Sequence, residues 1–86
     1  IKIFPKIELD GYPLRLIATV NHSGRSVHSG HYTAYVSRSH YDDAGELQER
    51  WFLADDSSIR PVRMQDILTD TRIYLALYER VQEFDD

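Results

Sequence analysis

The chain has 86 residues, enough for one small domain or a piece of a larger one and too few for two. Ten Lys and Arg against fourteen Asp and Glu leave a net charge of −4, which speaks against a nucleic-acid binder with its basic face. An apolar content of 42% excludes disorder by composition, no apolar run approaches the ~20 residues of a membrane span, and there is no cysteine to form a disulfide, a thiolate metal site or a nucleophile.

The chain opens inside an apolar run, Ile1 to Phe4, without an initiator Met or a secretory signal pattern, which suggests a segment cut from something longer. Pro5 interrupts the run and fits an edge strand or a strand end. Asp10-Gly11 is a turn signal. The next segment alternates: Leu14, Leu16, Ala18 and Val20 fall on one side, and Arg15, Ile17, Thr19 and Asn21 on the other. Period two predicts a strand. The stretch His22 to Gly30, with two glycines and three serines, reads as a loop.

His31 to Ser37 is rich in β-branched and aromatic residues and predicts a second strand, with His31, Thr33 and Tyr35 on one face and Tyr32, Ala34 and Val36 on the other. A polar connection follows over 39–49. Arg50 to Ala54 predicts a short strand that stops at the turn sequence Asp55-Asp56-Ser57-Ser58. Arg63 to Leu68 suits one or two helical turns. Ile73 to Tyr78 is apolar at both alternating positions, the pattern of a strand buried on both faces. The tail 82–86 is acidic. The expected fold is α+β and mostly antiparallel β, with four or five strands and one short helix. One short helix cannot cover both faces of such a sheet, so sequence outside the chain, or another copy, is expected to complete it.

Three features carry possible chemistry: His31 behind a glycine at a strand start, the pair Asp55-Asp56 at a strand end, and the loop from His22 to His31. A histidine titrates near neutrality and can act as a general base, and a carboxylate can fix its tautomer. Asp55 is placed to do this if the two strand ends lie side by side; by spacing alone, Asp55 to Ser58 reads as a turn. His22, His28 and His31 offer imidazoles to a metal, but match no compact zinc spacing. Ser29 lies two residues before His31, outside any Gly-x-Ser-x-Gly elbow.

Taken together, four segments in order resemble the C-terminal part of the ubiquitin-specific protease family. Tyr12 to Gly24 is similar to the strand leading into that family's histidine box, and Gly30-His31-Tyr32-Thr33-Ala34-Tyr35-Val36 resembles the box itself. Trp51-Phe52-Leu53-Ala54-Asp55-Asp56-Ser57-Ser58-Ile59 is similar to the segment carrying the third catalytic residue, and Ile73 to Tyr78 to the closing strand. Ile3-Phe4-Pro5 looks like the family's entry into this region.

The resemblance implies the palm part of a papain-like cysteine protease, incomplete on its own, that cleaves after the C-terminal glycine of ubiquitin. It covers 1–81 as a catalytic-domain portion and leaves 82–86 as a tail. It implies catalytic roles for His31 and Asp55, an assisting role for Asp56, and a channel for ubiquitin's tail lined by His22, Gly24, Gly30 and Tyr32. No cofactor or metal is expected on this segment, and the charge and the short apolar runs leave nucleic acid and membrane out of the expected partners. The implied partners are ubiquitin or ubiquitinated proteins and a missing cysteine-bearing segment, in an intracellular setting, cytoplasm or nucleus. Exposed strand edges leave self-association open. The sequence departs from the family in lacking the cysteine box and the zinc-bearing fingers, and in carrying Ala54 where a Phe is usual. Alone, the chain is expected to hydrolyse nothing. The alternative is a non-catalytic ubiquitin- or protein-binding module from an inactive relative.

Overall fold

The computed structural model describes residues 2–26 and 29–81. Six strands and one helix follow in order: β1 (Lys6–Leu9), β2 (Tyr12–Ser26), β3 (Ser29–Tyr41), β4 (Leu47–Asp55), β5 (Ser58–Val62), α1 (Met64–Leu68) and β6 (Ile73–Arg80). All pairings are antiparallel. Residues 18–21 of β2 pair with β3 on one side and β6 on the other, so the sheet runs β6-β2-β3-β4-β5, with β1 beside the N-terminal arm of β2. The mostly-β character follows the sequence expectation. No helix among the described residues is long and apolar enough to cross a membrane.

The Asp10-Gly11 turn joins β1 to β2 with both residues at positive φ, 51° and 83°, and Leu9 opposite Tyr12. This is the primed two-residue hairpin whose twist matches its strands. Pro5 precedes β1 rather than ending a strand, because residues 2–4 take no ladder position.

Two expected loops are largely strand. β2 runs to Ser26 and β3 begins at Ser29, so the stretch read as a loop over His22 to Gly30 is the arm of a long hairpin; Val27 and His28 lie outside the described residues. The connection expected over 39–49 shrinks to 42–46, since Ser39 pairs with Glu49, His40 with Gln48 and Tyr41 with Leu47. Backbone pairing is indifferent to the polar side chains there. Asp42 closes the connection: its Oδ1 accepts the Ala44 and Glu46 N–H groups at 3.0 and 2.9 Å, and its Oδ2 the Gln48 amide at 3.0 Å. These donors, the Glu46 backbone first, hold the Asp42 carboxyl below the usual carboxylate range.

The alternation expected in β2 breaks at a bulge. Leu16 opposes Tyr78 but Ala18 opposes Leu77, so Ile17 is an extra residue. The buried face therefore passes from Leu16 to Thr19 and Asn21, not to Ala18 and Val20. That face carries the core: Leu16, Tyr35, Trp51, Leu53 and Ile73, covered by Ile67 of α1. The helix is short but anchored. Asp66 accepts the Arg63 N–H at 2.9 Å, and the Thr69 hydroxyl donates to the Gln65 carbonyl at 2.8 Å.

β6 does not show the burial on both faces that its apolar run predicts. Ile73 is buried and Ala76 and Tyr78 half-buried, while Tyr74, Leu75 and Leu77 are exposed. Material that would cover the second face is not among the described residues. A groove of about 860 Å³ also opens beside the core, lined by Leu16, Trp51, Val62 and Met64 among others. The Trp51 indole N–H is buried without a hydrogen-bond partner among the described residues.

Candidate active site

His31 and Asp55 come together by strand register. Ala34 of β3 pairs with Ala54 of β4, so His31 lies just beyond the point where β4 ends at Asp55. Both side chains stand on the core face, at its open end, and each is about half exposed. The His31 Nε2 lies 2.5 Å from Asp55 Oδ1, and Asp56 Oδ2 is 4.0 Å from the same nitrogen.

The turn sequence after β4 is therefore both a turn and part of the site. Asp56 and Ser57 make a two-residue connection, with Asp55 opposite Ser58. Asp56 takes φ 53°, a left-handed conformation that Asp tolerates better than most residues. That conformation carries its carboxylate back toward His31.

The imidazole pKa is raised above its ordinary 6.5, first by the hydrogen bond to Asp55, then by the charge of Asp55, then by that of Asp56. With Asp55 accepting at Nε2, the ring's Nδ1 is left to exchange a proton with a reacting group. A carboxylate-held imidazole of this kind takes a proton from a nucleophile and stabilises the resulting imidazolium.

His31, Asp55 and Asp56 also place donor atoms within 4.8 Å of one another, close enough to surround a cation. Of the metal trio read from sequence, His22, His28 and His31, the two described members, His22 and His31, do not converge. His22 pairs with Tyr32 and stacks on it at 4.6 Å between ring centres, and strand alternation puts both on the face away from His31. His28 and the Ser29 side chain lie outside the described residues.

The four expected channel residues fall around one feature. Between the pairs Ser23–His31 and Ser26–Ser29 the β2–β3 register shifts, two residues of β2 opposing one of β3. Gly24 and Gly30 sit in this bulge, at φ 132° and 126°. A Cβ on Gly30 would lie 2.0 Å from the Ser23 carbonyl oxygen and 2.9 Å from the His22 ring. The glycine is needed so that the chain's own strands can approach, and His31 is the first regular residue after it.

On the far face, Tyr32 continues to Tyr74 at 6.3 Å, making a row His22–Tyr32–Tyr74. Sequence reasoning missed Tyr74, because its orientation depends on a β6 bulge: Val20 opposes Leu75 and Asn21 opposes Ile73, leaving Tyr74 between them. It also missed a buried polar set on the His31 face. Thr19 donates to Asn21 Oδ1 at 2.8 Å, and Asn21 Nδ2 donates to Thr33 Oγ1 at 3.1 Å. The signal was present, since Thr19 and Asn21 are polar residues within a predicted strand.

A second cluster ties the start of β6 to the core. The Tyr35 hydroxyl donates to Asp70 Oδ2 at 2.6 Å, and Arg72 grips the same carboxylate through Nε and a terminal nitrogen at 3.0 and 2.7 Å. Arg72 first, with help from Tyr35, holds the Asp70 carboxyl well below its usual range. Burial and the Asp70 contact push the Tyr35 phenol up to about 12.

A family model described as Ubiquitin carboxyl-terminal hydrolase matches residues 6–78. Among curated proteins, the chain is 31% identical over 78 residues to ubiquitin carboxyl-terminal hydrolase 30 of Xenopus tropicalis, covering 91% of this chain and 15% of that protein. It is 37% identical over 87 residues to ubiquitin carboxyl-terminal hydrolase 36 of Drosophila erecta, covering 87% of this chain and 7% of that protein. Ubiquitin hydrolase B of Dictyostelium discoideum is 35% identical over 66 residues, covering 77% and 13%. The chain thus spans less than a fifth of the length of each of these relatives.

Proposed function

Because the chain belongs to the ubiquitin carboxyl-terminal hydrolase family, we propose that it is the histidine–aspartate half of a thiol hydrolase that cleaves after the C-terminal glycine of ubiquitin. The nucleophilic cysteine lies outside this chain, which has none. Ubiquitin or ubiquitinated proteins are the partners, and the setting is intracellular. In this reading residues 1–81 form the palm part of a papain-like fold. The uncovered β6 face and the open groove beside Trp51 support a missing segment that packs there.

The observation that carries the reading is the His31–Asp55 pair, at 2.5 Å and half exposed at the open end of the core face. A buried structural pair would not leave both side chains half exposed. In the reaction His31 Nδ1 takes the thiol proton, and the thiolate attacks the carbonyl after ubiquitin's last glycine. The resulting imidazolium, stabilised by Asp55 and by the more distant Asp56, returns the proton to the leaving amine as the C–N bond breaks. Water then hydrolyses the thioester, with His31 again accepting a proton. Gly24, Gly30, His22 and Tyr32 border the channel for ubiquitin's tail, and Tyr74 extends that row.

The test joins this chain with the cysteine-bearing part of its own protein and supplies ubiquitin bearing a C-terminal fluorogenic amide. Turnover is expected, falling by at least about 10²-fold in His31→Ala, as for loss of a general base. Absence of turnover, or turnover indifferent to His31→Ala, would sink the assignment.

A further inference from the structure

Beyond Ala34, β3 loses β4 as a neighbour, because β4 ends at Asp55. The arm that carries His31 is paired with β2 alone in the strand register of the described residues, through Asn21–Thr33, His22–Tyr32 and Ser23–His31. Main-chain hydrogen bonds form equally well if β2 slips against this arm by one residue. The apolar pattern here even favours the slip. Thr19, Asn21 and Thr33 are buried on the core face, at 0, 1 and 9% exposure, while Val20, Ala34 and Val36 lie half-buried on the other. Hydrophobicity alone would turn Val20 inward, since a one-residue slip exchanges the two faces of a strand.

What resists the slip is side-chain hydrogen bonding. Asn21 ties the two strands together: its Nδ2 donates to Thr33 of β3, two residues from His31, while its Oδ1 accepts from Thr19 of its own strand. The Thr19 Oγ1 in turn accepts the Tyr35 N–H at 3.4 Å. In a slipped register the two bonds that cross the hairpin, Asn21 to Thr33 and the Tyr35 N–H to Thr19, are lost, and burying unpaired polar groups is costly. We propose that Asn21 is the positioning residue of the His31–Asp55 pair, its bond to Thr33 holding the His31 arm of β3 in the register that sets the imidazole against Asp55.

This rests on reading His31 and Asp55 as a catalytic pair, but its test needs no catalysis. The groups facing His31 are Asp55 and Asp56 from the end of β4 and its turn, and Ser23 from β2. The titration of His31 therefore reports whether the arm is in place. His31 would be followed by NMR against pH in the chain itself, in Asn21→Leu, which replaces the amide with an apolar side chain, and in Thr33→Val, which keeps the shape of threonine and removes the acceptor. Both variants are expected to move the His31 midpoint down toward 6.5, with the double variant moving it no further than either alone. If Asn21→Leu does not fold, Thr33→Val carries the same test. A His31 midpoint unmoved in Thr33→Val, whatever happens to thermal stability, overturns the proposal. A failed hydrolysis assay with an intact His31 shift would refute the catalytic reading and leave the positioning role standing.

Discussion

Replacing Gly30 by alanine should strongly destabilise the molecule. The added Cβ would lie 2.0 Å from the Ser23 carbonyl oxygen, a backbone atom of the paired strand. An ordinary contact of that kind is about 3.4 Å or more, so the strands would have to part by over an ångström where their spacing is fixed at about 4.8 Å by hydrogen bonds. Overpacking of this sort costs about 1–3 kcal/mol, and a φ of 126° adds about 1–3 kcal/mol for any residue with a side chain. The sum, about 2–6 kcal/mol, compares with a total stability of roughly 4–13 kcal/mol for a domain of this size. At about 4–8 °C per kcal/mol, the thermal midpoint should fall by about 10 °C or more. Gly11→Ala is the internal control. Gly11 has φ 83° but nothing within 4 Å of its Cβ position, so it should show the conformational cost alone. Thermal unfolding of the three proteins by circular dichroism measures the difference. Equal midpoints for the two variants would refute the claim that close approach of β2 and β3 is what demands a glycine at the site.

Asp55→Asn removes the main cause of the raised His31 pKa, so the imidazole midpoint should drop toward 6.5 in an NMR titration. A raised folded-state value means that the pair's contribution to stability is fully present below about 6.5 and is lost as pH rises through the folded-state value. Wild type and Asp55→Asn should therefore differ in thermal midpoint at pH 5 and converge under alkaline conditions; a gap that persists above pH 9 would contradict this. Asp70→Asn leaves the Arg72 guanidinium and the Tyr35 hydroxyl without their carboxylate and should cost about 1–3 kcal/mol in urea unfolding, since Arg72 is half exposed and partly screened. Because the Asp70 pKa is depressed, that loss should be full at neutral pH and shrink as acid protonates the carboxylate, and a loss that grows in acid would be the contrary result.

Much of the sheet was legible because its signals are local. Asp10-Gly11 is a hairpin turn by its chemistry, and His31 to Ser37 and Arg50 to Ala54 are strands by composition. The helix over 63–68 is found at Met64–Leu68. The polar arms over His22 to Ser26 and Ser39 to Tyr41 read as loops because their strand state comes from backbone pairing with the other arm of the same hairpin, which composition does not report. The bulges at Ile17 and Tyr74 were hidden for a related reason. Each is one extra residue relative to a neighbour, and each reverses which side chains are buried afterwards. At the site, spacing alone left Asp55 in a turn. It became a partner for His31 through the resemblance to a family, and the β3–β4 register supplies the physical reason.

The three bulges share a consequence for His31. A regular hairpin would keep the faces of β2 and β3 in fixed alternation from the core to the tip. Here the bulge at Ile17 hands the core face to Thr19 and Asn21, and the glycine bulge at Gly24 and Gly30 ends the regular pairing at Ser23–His31. The imidazole is thus the last side chain on a face that begins as apolar core with Leu16 and Leu53, passes through a buried polar ladder, and ends in solvent beside two carboxylates. An imidazole placed this way is held on its strand side and open on the other. The apolar and hydrogen-bonded layers behind it hold the backbone, and the half-exposed imidazole is left accessible where the proposed second segment and substrate would enter.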